Sequence, residues 1–213
     1  MRLCCCFVLL TLASVASGEW KVSPEAMLTR WGKQVTPQNA WQEYPRPQFR
    51  REGNWKNLNG LWQYKIQKSE RMPQAYQGDI LVPFPMESAL SGVQRLLEPD
   101  EMLWYRRTFQ HQTPKGHRTH LHFEAVDYEC TVYLNGVKIG SHQGSSDPFK
   151  FDITDALHSG DNELIVRVID KTAASQTLGK QSLKPKGIYY TRVSGIWQTV
   201  WLEDVPDRLQ PGS

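Results

Sequence analysis

The side chains best suited to chemistry lie in a short loop near the end of the chain. Tyr189, Tyr190 and Arg192 offer ring faces and hydrogen-bond donors, and Ser194-Gly195 at the loop exit is typical of a turn. Two tyrosines and an arginine suit a loop that packs on a polar ligand or hydrogen-bonds to it. The alternative is that these residues form only the tight lead-in to a core strand.

The element that must position this loop is the segment at 196–203, which is predicted to be a strand. Apolar residues occupy both of its faces, with Val200 and Leu202 on one and Trp197 and Trp201 on the other. A strand that is apolar on both faces is usually central in its sheet and covered on both sides.

Two further groups of titratable residues could carry chemistry. Glu124, Asp127 and Glu129 are predicted to be solvated strand ends, with a bound cation such as Ca²⁺ or a catalytic pair as alternatives. His120 and His122 share one strand face, but no third ligand follows at a clear spacing, so exposed strand histidines are favoured over a metal site. The sequence predicts neither a bound metal nor a cofactor.

The bulk composition excludes some partners. The chain has 213 residues, with 25 Lys and Arg against 22 Asp and Glu, so the net charge is only +3. This balance gives no electrostatic argument for binding nucleic acid or an anionic membrane, and neither is expected as a partner. Aromatic residues make up 11% of the chain, which suits both a β-sandwich core and contact with carbohydrate.

The first 18 residues have the pattern of a secretory signal peptide. Arg2 supplies a positive start, residues 3–13 are apolar, and residues 13–18 are small, as at a signal peptidase site. We therefore expect a secreted or periplasmic protein. Removal of this segment would leave Cys130 as the remaining cysteine, and its strand-like surroundings predict a buried, inert thiol.

The rest of the chain divides into an arm, a β domain and a tail. Residues 19–56 have scattered aromatics and prolines but no sustained period, so we predict an extended N-terminal arm. Alternating patterns over 57–205 predict about nine strands and a sandwich or barrel. Asn135-Gly136 between two alternating runs predicts a two-residue hairpin turn. Residues 206–213 are a polar tail.

Several motifs occur in a fixed order along this β domain. They are Leu-Asn-Gly-Leu-Trp at 58–62, Val-Pro-Phe-Pro-Met-Glu-Ser at 82–88, Trp-Tyr-Arg-Arg at 104–107, His-Phe-Glu-Ala-Val-Asp at 122–127, Asn135-Gly136 with Gly140, Pro148-Phe149 with Asp-Ile-Thr at 152–154, and Ser-Gly-Ile-Trp-Gln-Thr-Val-Trp-Leu-Glu at 194–203. Together they resemble the N-terminal sugar-binding domain of family 2 glycoside hydrolases, which include β-galactosidases, β-glucuronidases and β-mannosidases. The resemblance covers roughly residues 27–205 and implies an all-β, jelly-roll β-sandwich of the galactose-binding-domain-like kind.

The resemblance also implies a sugar-binding loop. In the family, the loop before the Ser-Gly-Ile motif helps to line the pocket for the terminal sugar, and by position it is residues 179–192 here. The implied substrate-binding residues are Lys180, Gln181, Tyr189, Tyr190 and Arg192. Many members place an acidic residue where this chain has Tyr189, so the resemblance does not assign a particular sugar.

The implied activity is hydrolysis of terminal β-linked sugars by two carboxylates about 5–5.5 Å apart. In the family both lie on a TIM barrel that follows the sugar-binding domain, and the pair corresponds to no residues here. Asn162-Glu163 imitates the acid/base dipeptide but opens a strand. We therefore predict the sugar-binding domain of a secreted glycosidase, inactive alone, whose partners are carbohydrate and the catalytic domains of a larger enzyme. The alternative is a stand-alone carbohydrate-binding or structural accessory module.

Overall fold

The computed structural model describes residues 19–47 and 53–207. The predicted signal peptide and residues 208–213 of the predicted tail lie outside the described residues. Short 3-10 turns occur at Gly32–Gln34, Ala89–Ser91 and Thr154–Ala156. No helix in the described ranges is long and apolar enough to cross a membrane.

Strands dominate the described chain. In chain order they are β1 (Trp55–Asn57), β2 (Gly60–Gln67), β3 (Gly78–Val82), β4 (Met102–His111), β5 (His117–Phe123), β6 (Val126–Asp127), β7 (Glu129–Leu134), β8 (Val137–Gln143), β9 (Phe149–Asp152), β10 (Gly160–Ile169), β11 (Gln181–Ser182), β12 (Tyr190–Thr191), β13 (Gly195–Ile196) and β14 (Val200–Pro206).

Two antiparallel sheets form the body of the domain. The larger has the order β3-β2-β4-β10-β7-β8, and the smaller has the order β1-β14-β5-β9. Two short pairs, β11 with β12 and β13 with β6, lie in the connections. The predicted all-β jelly-roll sandwich is confirmed.

The core lies between the two sheets because alternate residues of each strand are apolar and point inward. Trp62 of β2 and Tyr105 of β4 meet edge to face, with ring centroids 6.3 Å apart. Leu121 of β5 and Leu202 of β14 are fully buried from the opposite sheet. The Trp62 indole N–H donates to the Leu58 carbonyl oxygen at 2.8 Å, so even this large polar-tipped side chain is satisfied inside the core.

The outer face of the smaller sheet is covered by the N-terminal arm. Trp201 of β14 has no exposed surface, because Tyr44 packs edge to face on its ring and the Arg46 guanidinium lies over it at 5.3 Å. The prediction of a central strand covered on both sides is therefore confirmed for β14, which lies between β1 and β5.

The predicted continuous strand at 196–203 is wrong at its start. Residues 197–199 leave the sheet, and Gly195–Ile196 pairs instead with β6. The backbone N–H of Trp197 donates to the Ala125 carbonyl, and its indole N–H donates to the Ser145 carbonyl at 2.7 Å. These bonds draw the chain towards neighbouring connections, and β14 begins only at Val200.

The prediction of exposed strand histidines is wrong for His122, which is 1% exposed. Its ring stacks on Trp201 with centroids 4.1 Å apart. Burial, together with the positive charges of Arg46 and Lys150, lowers the pKa of His122 to about 3. The ring is therefore neutral at physiological pH, and its 3.3 Å approach to the Glu203 carboxylate is not an ion pair.

The Asn135-Gly136 hairpin is confirmed. Both residues have positive φ, 52° and 80°, as a type I′ turn requires. The Asn135 side chain donates to Asn162 at 2.8 Å, and Asn162 is almost fully buried. Glu163 pairs with Arg106 at 2.6 Å. Both residues of the Asn-Glu dipeptide thus make structural contacts with neighbouring segments at the start of β10.

The prediction of a buried, free Cys130 is confirmed. The thiol lies in β7 with 1% of its residue surface exposed. Burial raises the pKa of Cys130 to about 12, so the reactive thiolate is not populated at neutral pH.

Candidate functional site

The polar connections of the sandwich meet at one end. Backbone hydrogen bonds tie them to each other, from Met86 to the Ser194 carbonyl and from Gly144 to the Tyr128 carbonyl. The segment between β10 and β14, residues 170–199, contains the predicted sugar-binding loop at 179–192. This end of the domain is therefore the candidate functional site.

The loop at 179–192 is folded back on itself. Its two flanks form the short parallel pair of β11 and β12, with Gln181 opposite Tyr190. The backbone N–H of Tyr190 donates to the Lys180 carbonyl at 3.0 Å. The loop is therefore a closed turn with defined flanks, and residues 183–189 at its tip are exposed.

The outer side of the loop presents aromatic rings and amines. Tyr189 and Tyr190 are each 53% exposed, and Ile188 is 71% exposed. Lys180 is also exposed, and its backbone N–H donates to the Tyr190 hydroxyl at 3.4 Å. A ring face beside amines and hydroxyls is an arrangement that can bind a polar ligand with apolar C–H surfaces.

Arg192 anchors the inner side of the loop. It is 2% exposed, and its Nε and Nη2 atoms donate to the Leu97 carbonyl oxygen at 3.1 and 2.5 Å. Nη2 also lies 3.6 Å from the Glu98 carboxylate. The guanidinium thus ties the loop to the connection between β3 and β4.

Two carboxylates fix the residue at the loop exit. Glu87 accepts a hydrogen bond from the Ser194 backbone N–H at 2.8 Å, and Asp170 accepts one from the Ser194 hydroxyl at 2.8 Å. Asp170 also accepts from the Thr172 backbone N–H at 2.9 Å, which closes the turn after β10. The loop exit is therefore held from two separate connections.

Gln181 links a third carboxyl group to the same segment. Its side-chain oxygen accepts from the Val193 backbone N–H at 2.6 Å, and its nitrogen lies 3.5 Å from Asp127 Oδ2. Burial, with the nearby charges of Asp170 and Glu87, raises the pKa of Asp127 to about 7. Near neutral pH, this carboxyl group is divided between its protonated and ionised forms.

The prediction that the acidic cluster is solvated is wrong for Asp127, which is 4% exposed because β13 pairs with its strand. Glu124 accepts from the Trp201 indole N–H at 2.8 Å. Within residues 19–47 and 53–207, no group of three His, Cys, Asp or Glu side chains is arranged to hold a metal ion.

The titration of Asp127 makes stability depend on pH. A folded-state pKa near 7, against about 4 when unfolded, means that the native state binds the proton more tightly. The free energy of unfolding should then fall as pH rises from about 4 to 7. We expect Asp127→Asn to reduce that fall by about 1–3 kcal/mol. Urea unfolding of the wild type and Asp127→Asn at pH 4.5 and 7.5 measures this change in the free energy of unfolding. An equal pH dependence in the two proteins would contradict the prediction.

The five residues implied by the resemblance separate into two sets. Lys180, Tyr189 and Tyr190 present accessible side chains, whereas Gln181 is half-buried and Arg192 is buried. The sequence analysis missed the anchoring roles of Glu87, Asp170 and Ser194. Glu87 and Ser194 lie in motifs that carried the resemblance, which was the one sequence signal that could have pointed to them. Asp170 lies in none of these motifs.

A comparison with protein families agrees with this geometry of the loop and its anchors. A family model described as "Glycosyl hydrolases family 2, sugar binding domain" matches residues 82–206, which include the whole loop and its anchors. The chain belongs to glycoside hydrolase family 2. Its matched region is the sugar-binding domain of that family.

Curated relatives that match this family 2 chain are much longer proteins. A β-galactosidase from Thermoanaerobacter pseudethanolicus is 33% identical over 108 residues, which are 49% of this chain and 14% of the relative. A β-glucuronidase from Felis catus is 28% identical over 164 residues, which are 69% of this chain and 24% of the relative. The chain thus spans a quarter or less of the length of these relatives.

Solved structures show the same fold. The β-glucuronidase of Bifidobacterium dentium, complexed with coumarin-3-O-glucuronide, superposes with a TM-score of 0.57 at 23% identity. The superposition covers 74% of this family 2 chain and 31% of that enzyme.

Proposed function

We propose that this sugar-binding domain serves a secreted glycosidase that hydrolyses terminal β-linked sugars, and that loop 179–192 contacts the sugar. The names of the relatives, β-galactosidases and β-glucuronidases, support the class of reaction. The signal-peptide pattern of residues 1–18 supports secretion. Because the relatives are longer glycosidases, the comparisons do not favour a stand-alone accessory module.

The observation that carries the proposal is the anchored loop with exposed rings. Ser194 and Arg192 fix its exit, so Tyr189 and Tyr190 are presented on a defined backbone. Fixing the loop before binding reduces the entropy that binding would otherwise lose. Lys180, Tyr189 and Tyr190 would make the direct contacts, and Gln181 and Arg192 would position them.

The reaction itself needs a further domain. The carboxyl groups of Glu87 and Asp170 accept hydrogen bonds from Ser194, and Asp127 lies beside Gln181. Engaged in this way, they do not form an open pair that flanks a glycosidic bond. We propose that the acid/base and the nucleophile come from the catalytic domain of the larger glycosidase.

The test of the loop is Tyr190→Ala. We expect the chain to bind a terminal β-galactoside, β-glucuronide or β-mannoside weakly, without hydrolysing the chromogenic forms. Loss of the exposed ring should weaken that binding about fivefold or more. Titration calorimetry measures the affinity, and Tyr190→Phe is the control because it keeps the ring.

Equal affinity in Tyr190→Ala and the wild-type chain would contradict the proposed contact. Turnover by the chain alone would contradict the assignment of catalysis to another domain.

A further inference from the structure

A second polar cleft lies between the N-terminal arm and the connection at 197–199. Its walls include an indole, a phenol ring, two carboxylates, an amide and a hydroxyl, from Trp41, Tyr44, Glu43, Glu124, Gln198 and Thr199. Its volume is about 280 Å³, just below the roughly 300–1,000 Å³ typical of small-molecule sites. It shares no lining residue with loop 179–192.

Trp41 is held in this cleft in a backbone conformation that bulky residues rarely adopt. Its φ is +47°, and its carbonyl oxygen accepts hydrogen bonds from the side chains of Asn57 and Asn59 at 2.8 and 2.9 Å. Positive φ at a bulky residue is unfavourable and persists only where the surroundings impose it, often at functional positions. The two asparagines impose it here.

The result of this conformation is an exposed indole. Trp41 remains 45% exposed, with an edge contact to Phe84 at 6.3 Å between centroids. An aromatic side chain of this size gains free energy by burial, so a strained backbone that keeps it in solvent is informative. The strain favours presentation of the ring rather than packing.

The polar wall facing this ring is also fixed. Glu124 accepts from the Trp201 indole N–H at 2.8 Å and lies 3.6 Å from Arg46. Asn59 donates to the Thr199 hydroxyl at 3.2 Å and accepts from the Val200 backbone N–H. Asn59 therefore holds both walls of the cleft, the Trp41 side and the Thr199 side.

We infer that this cleft is a second sugar-binding subsite that takes one neutral pyranose ring. The indole face would cover the C–H face of the sugar, while the carboxylates and the amide bind its hydroxyl groups. Glu43 lines the cleft beside Glu124, whose charge is partly offset by Arg46 at 3.6 Å, so a uronate carboxylate would meet like charge mainly at Glu43. The cleft should therefore prefer galactosides and mannosides to glucuronides.

The test is titration calorimetry of the full chain with methyl β-galactoside, methyl β-mannoside and methyl β-glucuronide. We expect Trp41→Ala to weaken binding of a neutral sugar about tenfold or more and Trp41→Phe to weaken it only about threefold. Trp31→Ala is the matched control, because Trp31 is a 64% exposed arm tryptophan that does not line the cleft. It should leave the affinity within about twofold of wild type.

Two further variants keep the test decisive. Gln198→Ala should also weaken neutral-sugar binding, and it serves if Trp41→Ala unfolds. Glu43→Gln should reduce the discrimination against the glucuronide. Tyr190→Ala separates this inference from the loop proposal, since it should leave the cleft component unchanged.

The inference is overturned if no neutral sugar in the panel binds. It is equally overturned if Trp41→Ala and Gln198→Ala bind as the wild type does while Tyr190→Ala does not. The second pattern would leave the loop as the site and the cleft without a ligand.

Discussion

Replacing Gly195 by alanine is expected to lower the free energy of unfolding by about 3–5 kcal/mol. Gly195 has φ +94°, which costs an alanine about 1–2 kcal/mol. An added Cβ would also lie 2.0 Å from the Tyr105 hydroxyl and 3.1 Å from a Leu103 methyl group. These neighbours belong to the core strand β4, which cannot move away easily. Urea unfolding measures the loss.

Gly116→Ala is the matched control for this prediction. Gly116 also has positive φ, +74°, but nothing lies within 4 Å of the added Cβ. The free energy of unfolding that Gly116→Ala loses should therefore be limited to backbone strain, about 1–2 kcal/mol. In a Tyr105→Phe background, Gly195→Ala should cost less than in the wild type, because the closest atom is gone. Equal costs for Gly195→Ala and Gly116→Ala would refute the steric argument.

Arg192→Ala is expected to lower the free energy of unfolding by about 2–4 kcal/mol. The buried guanidinium makes two hydrogen bonds to the Leu97 carbonyl, and Leu97 itself has no exposed surface. Removing the side chain leaves that carbonyl without its donors and opens a cavity beside it. Thermal and urea unfolding measure the effect.

Tyr190→Ala is the comparison that separates anchoring from sugar contact. Tyr190 is half exposed, so its loss should change stability by less than about 0.5 kcal/mol while weakening sugar binding. Arg192→Ala should reduce stability directly. It should weaken sugar binding only indirectly, because the loop is displaced. If Arg192→Ala stays as stable as the wild type but loses sugar binding, the arginine touches the sugar directly.

These variants test how buried polar residues position the exposed rings of the loop. The exposed rings of the loop do not pack against the core, so their placement depends on buried polar anchors below them. Arg192, Ser194 and Gln181 each bond to a different part of the chain, at Leu97, Asp170 and Asp127. Loss of one anchor should loosen the loop without unfolding the sandwich.

The fold was largely predictable because its signals are local. Alternating apolar residues predicted the strands, and Asn135-Gly136 predicted a turn whose two positive φ values need no long-range contact. The ordered motifs at 82–88 and 194–203 then indicated the family, which the match over residues 82–206 shows. Cys130 was predictable for the same reason, since a strand pattern indicates burial.

The environment of individual polar residues was not predictable in this way. His122 and Asp127 have the sequence surroundings of exposed strand residues, yet both are buried. His122 stacks on Trp201, and Tyr44 and Arg46 of the distant N-terminal arm pack on that same indole. Period and composition carry no information about which distant segment covers a face.

The sequence by itself therefore determined the class of fold, the strand periodicity and the family of the domain, because local pattern and ordered motifs suffice for these. Only the tertiary structure decided which polar residues anchor and which are presented. Arg192 and Tyr190 lie two positions apart, yet one is 2% and the other 53% exposed. That difference comes from the connection at Leu97, which lies far away in the chain and is brought to the loop because the start of β4 pairs with the end of β10 in the larger sheet.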